Sequence, residues 1–295
     1  MPDRITMITA QFDPISLEEI NRHASLQTRA DNKYFLRWPL FVTFMEALRE
    51  SHVMMEIGGQ RAFTYDTQYF DTPGLTNYWH HVQKRRKRFK VRSRKYVDNG
   101  QNFFEIKLKG GRGETVKYKI AYTDEDWGQI NETAAAFLEE RLREAYGYVL
   151  SEPMVPTLRT LYRRITLAAK TSSERITCDF DLTFGADNRW QGRMADDYVL
   201  IETKSERGRG YADQLLWRMG ARPTSGSKYC LGMSLIRPHL RSNPFHQVRK
   251  SYFVRETAVL AEEQLLSVAV GASASNGAPD HGVLPLPTTA AVLFD

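Results

Sequence analysis

Between residues 88 and 120 the chain alternates basic and apolar positions through three successive segments, RFKVRSRKY, FFEIKLK and TVKYKI. Arg88, Lys90, Arg92 and Arg94 share one parity, as do Glu105, Lys107 and Lys109, and again Lys117 and Lys119. Side chains at i, i+2 and i+4 lie on one face of a strand. Each segment is therefore predicted to be a strand with a charged face, backed by Phe89, Val91, Phe104, Ile106, Leu108, Val116 and Ile120. Mixed charges would satisfy a wet outer sheet face. A face that is nearly all cationic repels itself unless an anion sits among the side chains. Three such strands predict the wall of a long anion-binding pocket.

Helical periodicity punctuates the strands. Residues 16–24 (SLEEINRHA) predict a short helix with Ser16 as N-cap and Glu19 three positions on, a capping-box arrangement. Residues 38–49 place Phe41, Phe44, Met45 and Leu48 on one helical stripe, with Pro39 tolerated in the first turn. A turn at 72–74 leads into a short helical stretch at 75–81, residues 132–146 form a helix ended by Gly147, and residues 211–219 form one stopped by Gly220. Residues 245–268 also carry helical spacing. Further strands are predicted at 27–36, 61–69, 157–168, 174–184 and 198–204.

Four of these strands also carry charge with period two. Arg29, Asp31 and Lys33 share a face, as do Tyr162 and Arg164, and so do Arg175, Thr177, Asp179 and Asp181. Glu202 and Lys204 line up on the last, with Leu200 as a spacer. A sandwich would put every apolar face into one core and scatter the charges outside. Charge on one face of nearly every strand predicts an α+β fold: an antiparallel β tunnel or barrel with a polar, basic lumen and helices packed outside.

Composition changes this picture little. The 295 residues suffice for a substantial core, and 42% hydrophobic with 26% charged residues is ordinary for a globular chain. The net charge is only +6, so the local cluster from Lys84 to Lys95 matters more than the total. Cys178 and Cys230 form neither a disulfide framework nor a metal-type pair. No apolar core run marks a signal peptide and no segment approaches the ~20 residues needed to span a bilayer, so a cytoplasmic location is expected. The expected organisation is a tunnel domain at 1–240, a C-terminal helical extension at 241–270 and a disordered Ala/Gly/Ser/Pro-rich tail at 271–295.

A lumen lined by Lys and Arg suits a chain of phosphates, which Arg binds bidentately and Lys as a point charge. Carboxylates facing polyphosphate need a divalent cation between them, or else a salt bridge on the wall. Glu202 is the first choice for a metal ligand because its strand is the least basic, with Glu105 and Asp179 behind it. In GSKYCLG, Ser227 can cap a helix whose first turn carries Lys228, within reach of a terminal phosphate. His80 and His81 beside Trp79 are assigned to the surface rather than to a metal. No P-loop, dinucleotide-binding glycine motif or HExxH is present. Nucleic acid is not expected as the main ligand: the basic residues alternate inward among carboxylates, and no aromatic residue interleaves on the charged parity as base stacking would require. Residues 84–87 (KRRK) cannot all face the lumen and read as an outer funnel.

Taken in order, TRADNKYFL, YFDTPGLTNYW, KVRSRKY, FFEIKLK, LYRRI, RITCDFDL, VLIETKS and SKYCLG resemble the VTC catalytic domain, the polyphosphate polymerase branch of the CYTH-like triphosphate tunnel metalloenzymes. The match runs from Thr28 to Gly232, roughly two-thirds of the chain. The resemblance implies a nucleoside triphosphate as phosphoryl donor, polyphosphate as acceptor and Mn²⁺ or Mg²⁺ as cofactor. It puts Lys33, Arg92, Arg94, Lys107 and Lys228 in catalytic positions, Glu202 at the metal, and Tyr162, Arg164 and Arg175 against substrate; Lys90, Lys109 and Lys204 join the substrate wall by parity. One departure is Ser225, where active polymerases of the family tend to carry a base three positions before the helix lysine. The chain resembles a stand-alone catalytic domain without the membrane-spanning parts of the eukaryotic complexes, and any membrane-protein partner is unidentified. Hydrolysis of tri- or polyphosphate, or polyphosphate binding without catalysis, are the alternative readings.

Overall fold

The computed structural model describes residues 3–23, 30–110 and 115–260. In chain order the elements are α1 (Arg4–Thr9), β1 (Pro14–Ile15), α2 (Leu17–His23), β2 (Ala30–Arg37), α3 (Trp38–Leu48), β3 (His52–Met55), β4 (Phe63–Asp71) and α4 (Thr76–Val82). The basic hairpins follow as β5 (Arg88–Tyr96), β6 (Gln101–Lys109) and β7 (Thr115–Tyr122), then α5 (Glu132–Tyr146). The second half comprises β8 (Val155–Ala169), β9 (Arg175–Ala186), β10 (Arg189–Met194), β11 (Tyr198–Ser205), α6 (Tyr211–Arg218), α7 (Lys228–Ile236), α8 (His246–Tyr252) and β12 (Phe253–Leu260).

The fold is α+β around one large antiparallel sheet. Its pairing runs β2-β11-β9-β8-β4-β5-β6-β7, with β10 and β12 branching from β9. The branch is built into β9 itself. Ile176 to Asp179 pair with β11, whereas Thr183 to Ala186 pair with β10. Between them Asp181 adopts a left-handed φ of 55° at an irregularity of the β8–β9 register, which turns the strand from one neighbour to the other.

Strand alternation then sorts the side chains. The face opposite the basic positions of β5 to β7 packs Phe89, Val91, Phe104, Ile106 and Leu108 against Phe137, Leu138 and Leu142 of α5. Outward residues of β2, β8, β9 and β11, including Tyr34, Ile165, Ile176 and Ile201, pack against Phe41, Phe44 and Leu48 of α3 and Leu216 of α6. The helix α7 is buried along Tyr229 to Ile236. It lies so close to the sheet that a Cβ at Gly232 would sit 2.4 Å from Phe184 and 2.7 Å from Leu158, so only glycine fits there. The capping box of α2 forms as expected, Ser16 Oγ meeting Glu19 Oε2 at 2.7 Å.

One expectation needs correction. Among the described residues, helical spacing over 245–268 is realised only as α8; Phe253 onward pairs antiparallel with β10, where Arg193 Nε reaches Glu256 Oε1 at 2.5 Å, and residues 261–268 lie outside the described residues. The segment FVRETAVL is compatible with either state, and the free edge of β10 decides it, a tertiary partner that periodicity does not reveal. The short strands β1, β3 and β10 lacked a readable alternation. The expected tail at 271–295 and Arg29 lie outside the described residues. No helix among the described residues is long and apolar enough to cross a membrane.

Candidate functional site: a basic lumen braced by three carboxylates

Three carboxylates organise the charged face, Glu105 and Asp179 buried and Glu202 partly so, each holding two cations. Glu105 on β6 accepts Arg92 Nε at 2.5 Å from β5 and Lys117 Nζ at 2.7 Å from β7. Asp179 on β9 accepts a bidentate Arg164 from β8, Nε at 2.6 Å and Nη2 at 3.0 Å, and also the ammonium of Lys228 from α7. Glu202 on β11 accepts Lys33 Nζ at 2.9 Å from β2 and Lys204 Nζ at 2.6 Å from its own strand. The bridges thus tie together eight elements that the sequence spreads from Lys33 to Lys228.

The electrostatics follow from burial opposed by neighbours. Burial alone would raise Asp179, but Arg164 and Lys228 hold its carboxyl down to about 2. Glu202 is likewise kept well below the usual carboxylate range, against its burial, by Lys204, Lys33, Lys107 and Lys228. The Tyr162 phenol, fully enclosed, is brought below its ordinary value by Arg94, Arg164 and Lys228 despite desolvation. Arg94 donates Nη2 to the Tyr162 hydroxyl at 3.3 Å and Nε to Thr67 at 3.4 Å. Lys228 Nζ lies 4.6 Å from the centre of the same ring. Lys228 is therefore an enclosed cation at the start of α7, with Ser227 Oγ accepting from Cys230 N as its N-cap.

Most residues singled out from the sequence converge on this lumen. Lys33, Arg92, Arg94, Tyr162, Arg164, Glu202, Lys204 and Lys228 are joined by the contacts above. Lys107 acts electrostatically on both Glu202 and Lys90, and Arg175 lines the same cavity as Arg94 and Arg164. Among the described residues Lys90 makes no ion pair; burial, with Lys107, Lys33 and Arg88 nearby, lowers its pKa to about 7. Lys109 stands opposite Arg88 at the far end of β6, its backbone fastened to the Tyr146 hydroxyl.

The Lys90 end is closed by α4 and α7. Asp71, fully buried at the end of β4, accepts backbone N–H groups of Asn77 and Tyr78 from α4 and the Tyr229 hydroxyl at 2.5 Å from α7. His80 and His81, expected at the surface, are half-buried there. His81 donates Nδ1–H to the Asn77 carbonyl at 2.8 Å, and burial with Lys90 and Arg88 nearby pushes its pKa to about 3, so the ring stays neutral. Exposed residues 84–87 lie just outside this end.

Metal ligation is the point at which the wall is least distinctive. No group of three or more His, Cys, Asp or Glu side chains that could hold a metal occurs among the described residues. Glu202 is as fully bridged as Glu105 and Asp179, so a weakly basic strand does not leave it unpaired. Its single carboxylate fits Mn²⁺ or Mg²⁺ in one arrangement, where phosphate oxygens and water supply the remaining ligands.

Sequence reasoning also missed wall residues. The charged parity does carry aromatic rings: Tyr96 continues the Arg88–Arg94 series and Phe103 precedes Glu105, and both line the cavity with Tyr65, Lys117 and Lys119. Extending each parity by one position beyond its last charge would have found them.

The VTC domain family model matches residues 16–237. The chain belongs to the VTC domain family. The match spans the lumen-bearing elements from α2 through α7. No curated protein matches. Among solved structures, HpAC1 from Hippeastrum, described as an adenylyl cyclase candidate with a dominant triphosphatase activity, is similar at 13% identity and a TM-score of 0.41, over 69% of this chain and 94% of that chain. An adenylate cyclase candidate from Vibrio parahaemolyticus is similar at 14% identity and a TM-score of 0.36, over 82% of this VTC domain chain and 98% of that chain. The PH1819 protein from Pyrococcus horikoshii is similar at 12% identity and a TM-score of 0.33, over 65% and 87% of the two chains.

Proposed function

We propose that this VTC domain protein is a polyphosphate polymerase-like phosphotransferase that moves the γ-phosphoryl group of ATP onto a polyphosphate chain inside the basic lumen. The observation that carries the reading is the bridging itself: six cations from six elements held by three enclosed or partly enclosed carboxylates, on a wall with further Lys and Arg. Such a wall binds a linear polyanion far better than a small or neutral ligand.

In-line phosphoryl transfer asks a protein mainly for positioning and charge neutralisation. Arg92, Arg94, Lys107 and Arg164 hold successive phosphates, with Lys33, Lys90, Lys109, Arg175 and Lys204 extending the wall. Lys228, on the rigid first turn of α7, neutralises charge on the phosphoryl group in transit. Tyr162 fixes Arg94 and Lys228 about one ring. No general base is required of the chain. Glu202 would hold a divalent cation, which supplies Lewis-acid neutralisation of phosphate oxygens when bound. Incubating the protein with ATP and Mn²⁺ and resolving the product on a polyphosphate-stained gel tests the proposal. A ladder of long chains is expected; inorganic phosphate alone would make the protein a hydrolase, and no ATP consumption would make it a binding module.

A further inference from the structure

The lumen is not the same at its two ends. At one end the wall residues are Arg88 and Lys109, opposite each other in register, followed outward by the exposed basic run at 84–87. At the other end the same parity becomes aromatic, with Tyr96 on β5 and Phe103 on β6. The rings continue inward as a ladder. Phe103 meets Tyr96 edge-on at 5.9 Å, Tyr96 meets Tyr65 at 4.9 Å, and Tyr65 stacks on Tyr162 at 5.3 Å with an interplanar angle of 8°. Guanidinium groups of Arg94 and Arg164 lie 5.3 and 5.2 Å from the Tyr65 ring, so the ladder reaches directly into the phosphate-binding wall.

A cavity of about 160 Å³ opens at this mouth, lined by Tyr96, Phe103, Lys119, Arg94, Arg175 and Thr177 among others. Thr177 is buried, and its hydroxyl has no hydrogen-bond partner among the described residues. Lys119 Nζ sits 4.1 Å from the centre of the Phe103 ring. If these rings only seated α2, they would be buried like Ile20, which α2 contributes to the cluster containing Tyr65. Tyr96 and Phe103 are instead half-exposed to the cavity. A flat aromatic surface beside cations, with an unused hydroxyl donor, matches a nucleoside attached to phosphates and not a bare polyphosphate.

We propose that the Tyr96–Phe103 mouth is the nucleobase subsite, so that a nucleoside triphosphate enters triphosphate-first and its base stacks at the rim. The proposal rests on the phosphate-lumen reading above and adds polarity to it: the nucleotide end lies at the aromatic mouth and the polyphosphate end toward Lys90 and Arg88. Stacking tolerates any base, so ATP and GTP bind within a few-fold of each other and ahead of CTP.

The test measures binding of the imido analogue of ATP and of inorganic tripolyphosphate to the full chain by calorimetry. Tyr96→Ala and Phe103→Ala are each expected to weaken the nucleotide about ten-fold and to leave tripolyphosphate within two-fold, while Phe103→Trp keeps nucleotide affinity. Retained tripolyphosphate binding also reports that the variants are folded. Unchanged nucleotide affinity, or equal weakening of both ligands, overturns the base subsite while leaving the phosphate lumen standing. Failure of the unaltered protein to bind either ligand removes both.

Discussion

Asp179→Asn separates the bracing role of the lumen carboxylates from the rest of the fold. The substitution keeps the shape of a side chain that is 0% exposed but leaves Arg164 and Lys228, 14% and 9% exposed, facing a neutral amide. The carboxyl is held down to about 2 against an ordinary value near 3.9, which corresponds to about 2 to 3 kcal/mol of stability at neutral pH. Removing one partner of a buried ion pair costs more than the pair contributes, about 3 to 5 kcal/mol, because buried charge is left uncompensated. The variant should therefore unfold at lower urea by that amount. A phosphate entering the lumen supplies the missing negative charge. If it recovers about 2 kcal/mol, tripolyphosphate binds the variant about thirty-fold more tightly than the unaltered protein. The pH dependence carries the same signature. Because the folded-state pKa is depressed, the stabilisation is present above the ordinary carboxylate pKa and is lost as pH falls from about 4 toward 2; the variant lacks that loss. Urea titrations with and without tripolyphosphate read both effects. A variant as stable as the unaltered protein, or one that tripolyphosphate stabilises no more, would refute the argument.

Glu202→Gln is expected to abolish Mn²⁺-dependent turnover by at least a hundred-fold while tripolyphosphate binding persists; unchanged turnover at saturating metal would move the metal to Glu105 or Asp179. Lys228→Ala should lower kcat about 10²- to 10³-fold with KM changed only a few-fold, since the charge it meets is largest in the transition state. Ser225 is exposed in the loop before α7, so Ser225→Lys should raise polymer yield, and indifference of both variants would favour a binding module. Lys90, with its pKa lowered to about 7, should take up a proton when a polyanion arrives. Calorimetry in buffers of different ionisation enthalpy should show uptake at pH 8 that fades by pH 6, where Lys90 is already charged, and Lys90→Met should remove most of it. Its lowered pKa also means that the folded state binds fewer protons than the unfolded one between about 7 and 10.4, so this group's contribution to stability rises with pH across that window.

Period-two charge was legible because it is a property of single strands: Arg92, Lys107, Arg164 and Glu202 each face the lumen as parity requires, and the antiparallel tunnel follows from repeating it. Pairing partners were not legible. Nothing local to Glu105, Asp179 or Glu202 says that each will bridge two cations, because Lys117, Lys228 and Lys33 reach them only through the sheet order. The helix expected across 253–260 failed for the same reason, its state being chosen by the edge of β10. His81 was misplaced because its neutrality depends on Lys90 and Arg88 brought against it by β5.

The aromatic mouth is the instructive omission, since its signal was local and was cut off by attending only to charge. Tyr96 and Phe103 hold the next positions on parities already recognised, one residue pair beyond Arg94 and Glu105. A tunnel that merely binds polyphosphate has no reason to end its cationic wall in rings at one mouth and in Arg88 and Lys109 at the other. A linear polyphosphate is chemically the same at both ends, whereas a nucleoside triphosphate is not. The asymmetry of the wall therefore argues for a ligand that is itself asymmetric, and so for a nucleotide donor over a polyphosphate store. That argument is independent of the cations, which any polyanion would satisfy.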